Sequence, residues 1–229
     1  MRAVSSVLGC LMLAACGGTA RRAPAPSPTA ARPTPVPTAQ VAAPPEAPPP
    51  TPDDDPDAEA LARAFLARLT VWRRADGTRV LSRRCREGPV DCEARLTTFA
   101  RLIARAARAH DLDPFLLGAL AMRESGLDPA ALGRRNEAGI VQLHPRGAGR
   151  DVRYVQDRAY RDACQAEVDA CQAPVLERGA ASLAASIEEC GSLVAGLGAY
   201  ATGHCTERAV HPQRVLEEQR TLRDLAEAP

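Results

Sequence analysis

Residues 113–126 read DPFLLGALAMRESG. Asp113 followed by Pro114 marks a helix start. The aspartate side chain can accept from the free N–H groups of the first turn, and proline, which has no N–H, fits the first helical position. Phe115, Leu116, Leu120 and Met122 carry the helix on to about Ser125, and Gly126 can take the left-handed conformation that ends it. Glu124 therefore falls in the last turn of an apolar helix. The negative end of the helix dipole disfavours a carboxylate there, and burial against the Phe115/Leu120 face works in the same direction. A carboxyl so placed keeps its proton toward neutral pH.

The sequence on either side has mostly helical period. Asp57 is read as the cap of a first helix with Leu61, Phe65, Leu66 and Leu69 on its apolar face. Residues 75–92 contain Gly77, Gly88 and Pro89 and read as a disulfide-tied loop. Residues 93–110 are amphipathic, with Leu96, Phe99, Leu102, Ile103 and Ala106 on one side. Residues 151–170 are polar with helical propensity and carry Tyr154 and Tyr160. Further helices are expected over about 174–189, 193–201 and 210–225. No alternating strand and no internal repeat is visible, so residues 58–229 are expected to form one all-α domain.

Eighteen residues after Glu124, Gln142 stands in the stretch GIVQLHP (139–145), and Gly198-Ala199-Tyr200 follows much later. Glu124-Ser125, the Gln142 block and the Tyr200 block, in this order and with this Glu-to-Gln interval, resemble the three blocks of the lysozyme-like lytic transglycosylases. That family cleaves the glycan strands of peptidoglycan. The resemblance covers about residues 112–203 and implies a lysozyme-like, mainly helical fold.

The resemblance also implies roles. Glu124 would be the single catalytic acid/base. It protonates the bridging oxygen of the MurNAc–GlcNAc bond, then takes the proton of the muramic acid C6 hydroxyl, so that a 1,6-anhydro ring closes. Glycoside cleavage requires such a protonated acid. Ser125 would help to orient the acid or the ligand. Gln142 would line the sugar groove, where an amide offers two donors and an acceptor. The Tyr200 hydroxyl would bond to the catalytic glutamate.

Two departures from the family stand out. Asn136-Glu137 replace the usual Gly-Ala, and Ala201 replaces an asparagine that contacts sugar; Thr202 and His204 are the candidates to replace its hydrogen bond. Water as acceptor would make the protein a goose-type lysozyme-like hydrolase, and Ala201 supports a third reading, a non-catalytic peptidoglycan-binding lipoprotein. Tyr154 and Tyr160 are candidate groove walls, with Tyr154 counted among the substrate contacts. His144 is read as a loop histidine.

The N-terminal residues 1–15 read as a signal peptide, with Arg2 followed by an apolar run too short to span a bilayer. The run ends in Leu13-Ala14-Ala15-Cys16, which looks like the lipobox of bacterial lipoproteins, and this marks Cys16 for lipidation. Gly17 resembles the residue that follows the cysteine in lipoproteins sent to the outer membrane, facing the periplasm. Residues 16–57 form a spacer in which 13 of the 20 prolines fall between Pro24 and Pro56. Such composition cannot bury enough apolar surface to offset ordering and is expected to stay disordered.

Removing Cys10 with the signal and Cys16 to lipid leaves six cysteines, and an even number in an exported domain reads as disulfides. Pairing of sequence neighbours is the economical choice: Cys85–Cys92, Cys164–Cys171 and Cys190–Cys205. No metal site is expected, because the Cys-x₂-Cys spacing of structural zinc is missing. A net charge of +1, without a basic block or interleaved aromatics, excludes nucleic acid as a partner. The expected partners are peptidoglycan strands and, through the lipid, a membrane. No cofactor is expected, and the chain is read as a monomer.

Overall fold

Helix α1 (Pro56–Leu69) starts by the same rule that opens residues 113–126. Asp55 is its cap, accepting from the N–H groups of Asp57 (3.1 Å) and Ala58 (3.3 Å), with Pro56 at the first helical position. The expectation that Asp57 caps this helix is thus corrected. An Asp-Pro pair outranks an aspartate two residues further in, because proline has no N–H to leave unpaired.

The computed structural model describes residues 55–82, 85, 91–164 and 168–228. The signal segment, Cys16 and nearly all of the Pro-rich spacer lie outside the described residues. After α1 the chain forms a short antiparallel hairpin, β1 (Thr70–Arg73) with β2 (Arg79–Leu81), turning at Gly77. The fold is otherwise helical, as expected; the hairpin is an addition that Val71-Trp72 alone did not announce.

Then follow α2 (Cys92–Ala109), α3 (Pro114–Glu124), α4 (Arg153–Gln156), α5 (Arg158–Ala163), α6 (Val168–Cys190), α7 (Leu193–Thr202) and α8 (Val210–Glu227). Asp157 breaks the expected helix around 151–170 into α4 and α5, ending the first and capping the second. Helix α6 carries Pro174 inside it instead of starting there. Among the described residues no helix is long and apolar enough to cross a membrane.

Helix α1 packs on α2, α3 and α8, α3 packs on α2 and α8, and α6 packs on α2 and α7. The interior is filled by Phe65, Phe99, Ile103, Leu117, Leu120, Leu176, Leu183, Leu197 and Leu222, all fully buried. Each such side chain contributes about 1.5–3 kcal/mol on burial. Disulfides join Cys85–Cys92, Cys164–Cys171 and Cys190–Cys205, with Cα separations of 5.4, 5.8 and 5.5 Å.

Helices α3 and α8 run against each other in opposite directions. Asp113 caps α3 by accepting from the Phe115 N–H with one carboxylate oxygen. Its other oxygen accepts from Gln219 and Arg223 of α8. One helix length away, about 15 Å at 1.5 Å per residue, the end of α3 meets the start of α8.

Candidate active site

Helix α3 delivers Glu124 to the edge of an open groove of about 700 Å³, with Ser125 buried behind it. The opposite wall is the C-terminal part of α7, Ala199 to Thr202. The loop between α3 and α4 supplies Gln142 and Glu137, and Arg134, Arg135 and Arg146 line the same groove.

The three blocks meet through backbone pinning. The loop at Gly139–Gln142 has no regular structure, so its polar groups need partners from elsewhere. Ser125 Oγ, at the end of α3, donates to the Ile140 carbonyl at 2.8 Å. The Ile140 N–H donates to Gln172 of α6 at 3.2 Å, and the Tyr200 hydroxyl of α7 donates to the Val141 carbonyl at 2.8 Å. Three helices thus hold four residues of loop. Gly139, at φ +82°, passes so close to α6 that a Cβ there would lie 2.5 Å from Val175.

Several expected contacts are corrected. The Tyr200 hydroxyl bonds to Val141, not to the Glu124 carboxyl, although the ring lines the groove and the Glu124 charge reaches it. Ser125 is buried and spends its proton on Ile140, so it fixes the loop and does not face a ligand. Gln142 Nε2 donates to the carbonyls of Ala131 (3.0 Å) and Gly139 (2.9 Å), so both amide protons are used internally and only Oε1 remains for a ligand. Thr202 lines the groove, but its hydroxyl donates to the Gly198 carbonyl at 2.8 Å.

Tyr154 is not a groove wall. It is buried in the core, with its hydroxyl on the Pro129 carbonyl. Tyr160 sits beneath the Arg153 guanidinium, 4.2 Å from the ring centre, also away from the groove. A small domain with few aromatics uses these tyrosines to close its interior. His144 does line the groove, its Nδ1 accepting from the Arg146 N–H at 3.1 Å.

Burial pushes the Glu124 carboxyl up to about 7; the Glu137 charge adds to this and Arg123 opposes it. Glu137 is held by the Arg135 N–H, which donates to its Oε2 at 2.8 Å. Its side chain lies across Gly133, where an added Cβ would fall 2.2 Å from Oε2. Asn136 takes a left-handed φ of +65°, which asparagine tolerates better than most residues. The Asn136-Glu137 departure therefore keeps the turn and adds a second carboxylate to the groove.

One group was not anticipated. His211, in the first turn of α8, brings Nε2 to 3.2 Å from Glu124 Oε1. The periodicity carried a signal, since 211, 215, 218 and 222 share the inward stripe of α8 with buried Val215, Glu218 and Leu222. What the stripe cannot reveal is which residue lies opposite its first member. Among the described residues no group of three or more His, Cys, Asp or Glu side chains is arranged to hold a metal.

A helical domain with a largely buried carboxyl at the edge of an open, polar groove is a lysozyme-like arrangement, suited to protonating a glycosidic oxygen. The chain belongs to the transglycosylase SLT domain family, whose model matches residues 101–220. That range extends beyond the motif blocks to include the second half of α2 and most of α8, and with it His211. No curated protein and no solved structure matches the chain. Family membership supports a lytic-transglycosylase-type function acting on peptidoglycan.

Proposed function

We propose that the protein is a lytic transglycosylase that cleaves the β-1,4 bond between MurNAc and GlcNAc with Glu124 as its acid and base. The observation that carries this reading is a groove-side carboxyl raised to about 7, protonated over the acid half of the physiological range. Glu124 gives its proton to the bridging oxygen as the bond from muramic acid C1 breaks. The carboxylate left behind then accepts the C6 hydroxyl proton while O6 bonds to C1. The atoms balance: one glycosidic bond is exchanged for the 1,6-anhydro bond, and the carboxyl ends protonated.

The groove fits such a polymer. Arg134, Arg135 and Arg146 place three guanidinium groups along it, which suits a glycan bearing peptide carboxylates. Gln142 Oε1 supplies an acceptor for sugar hydroxyl or amide protons.

A second reading is favoured by Glu137. Two carboxylates in one groove are what a hydrolase uses when one acid protonates the leaving group and the other activates water. Digestion of purified sacculi followed by mass spectrometry of the muropeptides separates the readings. Anhydro-muramic ends support transglycosylation, reducing muramic ends support hydrolysis, and intact glycan with retained binding supports a non-catalytic binder.

The reading extends to location. The lipobox-like Leu13–Cys16 segment and Gly17 support a protein anchored by acylated Cys16 to the outer membrane, with residues 16–57 as a spacer before the catalytic domain. Fractionation of cells expressing Cys16→Ser tests it. Release of the variant from the membrane fraction supports the anchor, and unchanged membrane association contradicts it.

A further inference from the structure

We propose that His211 is a positioning residue for Glu124, donating Nε2–H to Oε1 so that Oε2 is the oxygen presented to the scissile bond throughout the reaction. The proposal rests on the reading of Glu124 as the acid and base, and deepens it by assigning the group that orients that carboxyl.

The geometry comes first. His211 Nε2 lies 3.2 Å from Glu124 Oε1, with about a quarter of the imidazole exposed (26 %) and less of the carboxyl (19 %). Nε2 is buried and makes no aligned hydrogen bond in the free protein, to Glu124 or to any other group. Glu124 Oε1 is the polar atom it faces. A catalytic hydrogen bond that is off-line in the free enzyme commonly tightens once substrate is bound. Among the described residues no aligned hydrogen bond engages either oxygen of the Glu124 carboxyl, and Oε1 is the one that Nε2 approaches.

The approach is also fixed by construction. Helix α8 is locked at its far end by Gln219 and Arg223 on Asp113, and in its middle by Glu218 on Arg68 of α1 at 2.7 Å. Pro212 sets the backbone directly after His211 and is buried. With both helices anchored at Asp113, the antiparallel lengths of α3 and α8 bring the imidazole to the carboxyl.

The charge states decide what the contact can do. An imidazolium would hold Glu124 as a carboxylate and remove the acid. The surroundings oppose that: burial, then Arg123 from α3 and Arg214 from α8 itself, push the imidazole down from its ordinary value. The other ionisable groups around the pair are Tyr200 from α7 and Glu137 from the α3–α4 loop. The first turn of a helix also disfavours a cation. Two neutral groups result, a protonated carboxyl and an imidazole. A neutral Nε2–H can serve both halves of the cycle, because it donates to Oε1 whether Oε2 carries its proton or has just released it.

The test compares His211→Phe, which fills the space without a donor, with His211→Gln, whose amide nitrogen can reach the position of Nε2. On sacculi, His211→Phe is expected to lower kcat about 10- to 100-fold, the range for a lost hydrogen bond to a charged group, with KM changed less than about twofold. His211→Gln is expected to recover most of that loss. Either wild-type kcat in His211→Phe or a Gln variant as impaired as the Phe variant overturns the proposal.

A second readout needs no turnover. Imidazole ¹⁵N spectra of the full chain are expected to show the Nε2–H tautomer of His211, with a shift that follows the Glu124 titration and loses that inflection in Glu124→Gln. An Nδ1–H tautomer, or a shift indifferent to Glu124, overturns the proposal. Absence of cleavage by the wild type alongside the expected spectra would instead count against the assigned function.

Discussion

At the scale of single residues, Glu124 combines a burden on stability with the catalytic role proposed for it. Its carboxyl is raised from about 4.5 in the unfolded chain to about 7 in the fold, chiefly by burial. Between those values the unfolded state has lost the proton and the folded state has kept it, so stability falls as pH rises through the window. The loss reaches up to about 3 kcal/mol above pH 7. Glu124→Gln is therefore expected to be more stable than the wild type at pH 8 and to lose that advantage below pH 4.5. Thermal melts across this range check it, and a stability difference independent of pH would contradict it.

Glu137 contributes through the same equilibrium. Removing its charge with Glu137→Gln is expected to lower the Glu124 value and shift the alkaline limb of the kcat/KM profile to lower pH. An unmoved limb would mean that the second carboxylate does not act on the first. The position of Glu124 was legible in the sequence because a helix start, a helix stop and a block spacing all converged on it. The partners of Gln142 and Tyr200 were not, because the internal carbonyls that take their protons belong to a loop whose path depends on three helices.

At the scale of elements, the loop at Gly139–Gln142 joins the motif blocks, held by Ser125, Gln172 and Tyr200 from α3, α6 and α7. Helix α7 itself is bracketed by the Cys190–Cys205 disulfide, which closes a separation of 15 residues. Replacing both cysteines by serine is expected to cost about 3 kcal/mol in the chain-entropy model. It should also loosen Tyr200 and hence the loop. Denaturant unfolding measures the first effect, and hydrogen exchange at Val141 and Gln142 reports the second; unchanged protection there would contradict the bracket. The helices were legible wherever an apolar stripe ran between a cap and a stop. The hairpin at 70–81 was not, because strands of four and three residues hold too few alternations to register as a period.

At the scale of the whole molecule, the last helix is the part that the motif blocks omit and the site requires. Its stripe of Val215, Glu218 and Leu222 was readable as a buried face, but the sequence carries no sign that α8 lies antiparallel to α3. That arrangement follows from contacts made at Asp113 and Arg68, more than 100 residues away in the chain. It brings the His211 imidazole to 3.2 Å from the Glu124 carboxyl at the end of an apolar helix. Three ordered blocks thus marked the substrate class, while tertiary packing supplied the histidine.

The central claim is that Glu124 drives strand cleavage by intramolecular closure. It is tested most directly by digesting purified sacculi with the wild type and Glu124→Gln side by side and counting muropeptide ends by mass spectrometry. Anhydro-muramic ends should accumulate with the wild type and fall at least about 100-fold with the variant, the lower range for a lost general acid. Anhydro ends released by Glu124→Gln at the wild-type rate, or intact glycan after digestion with the wild type, would contradict it.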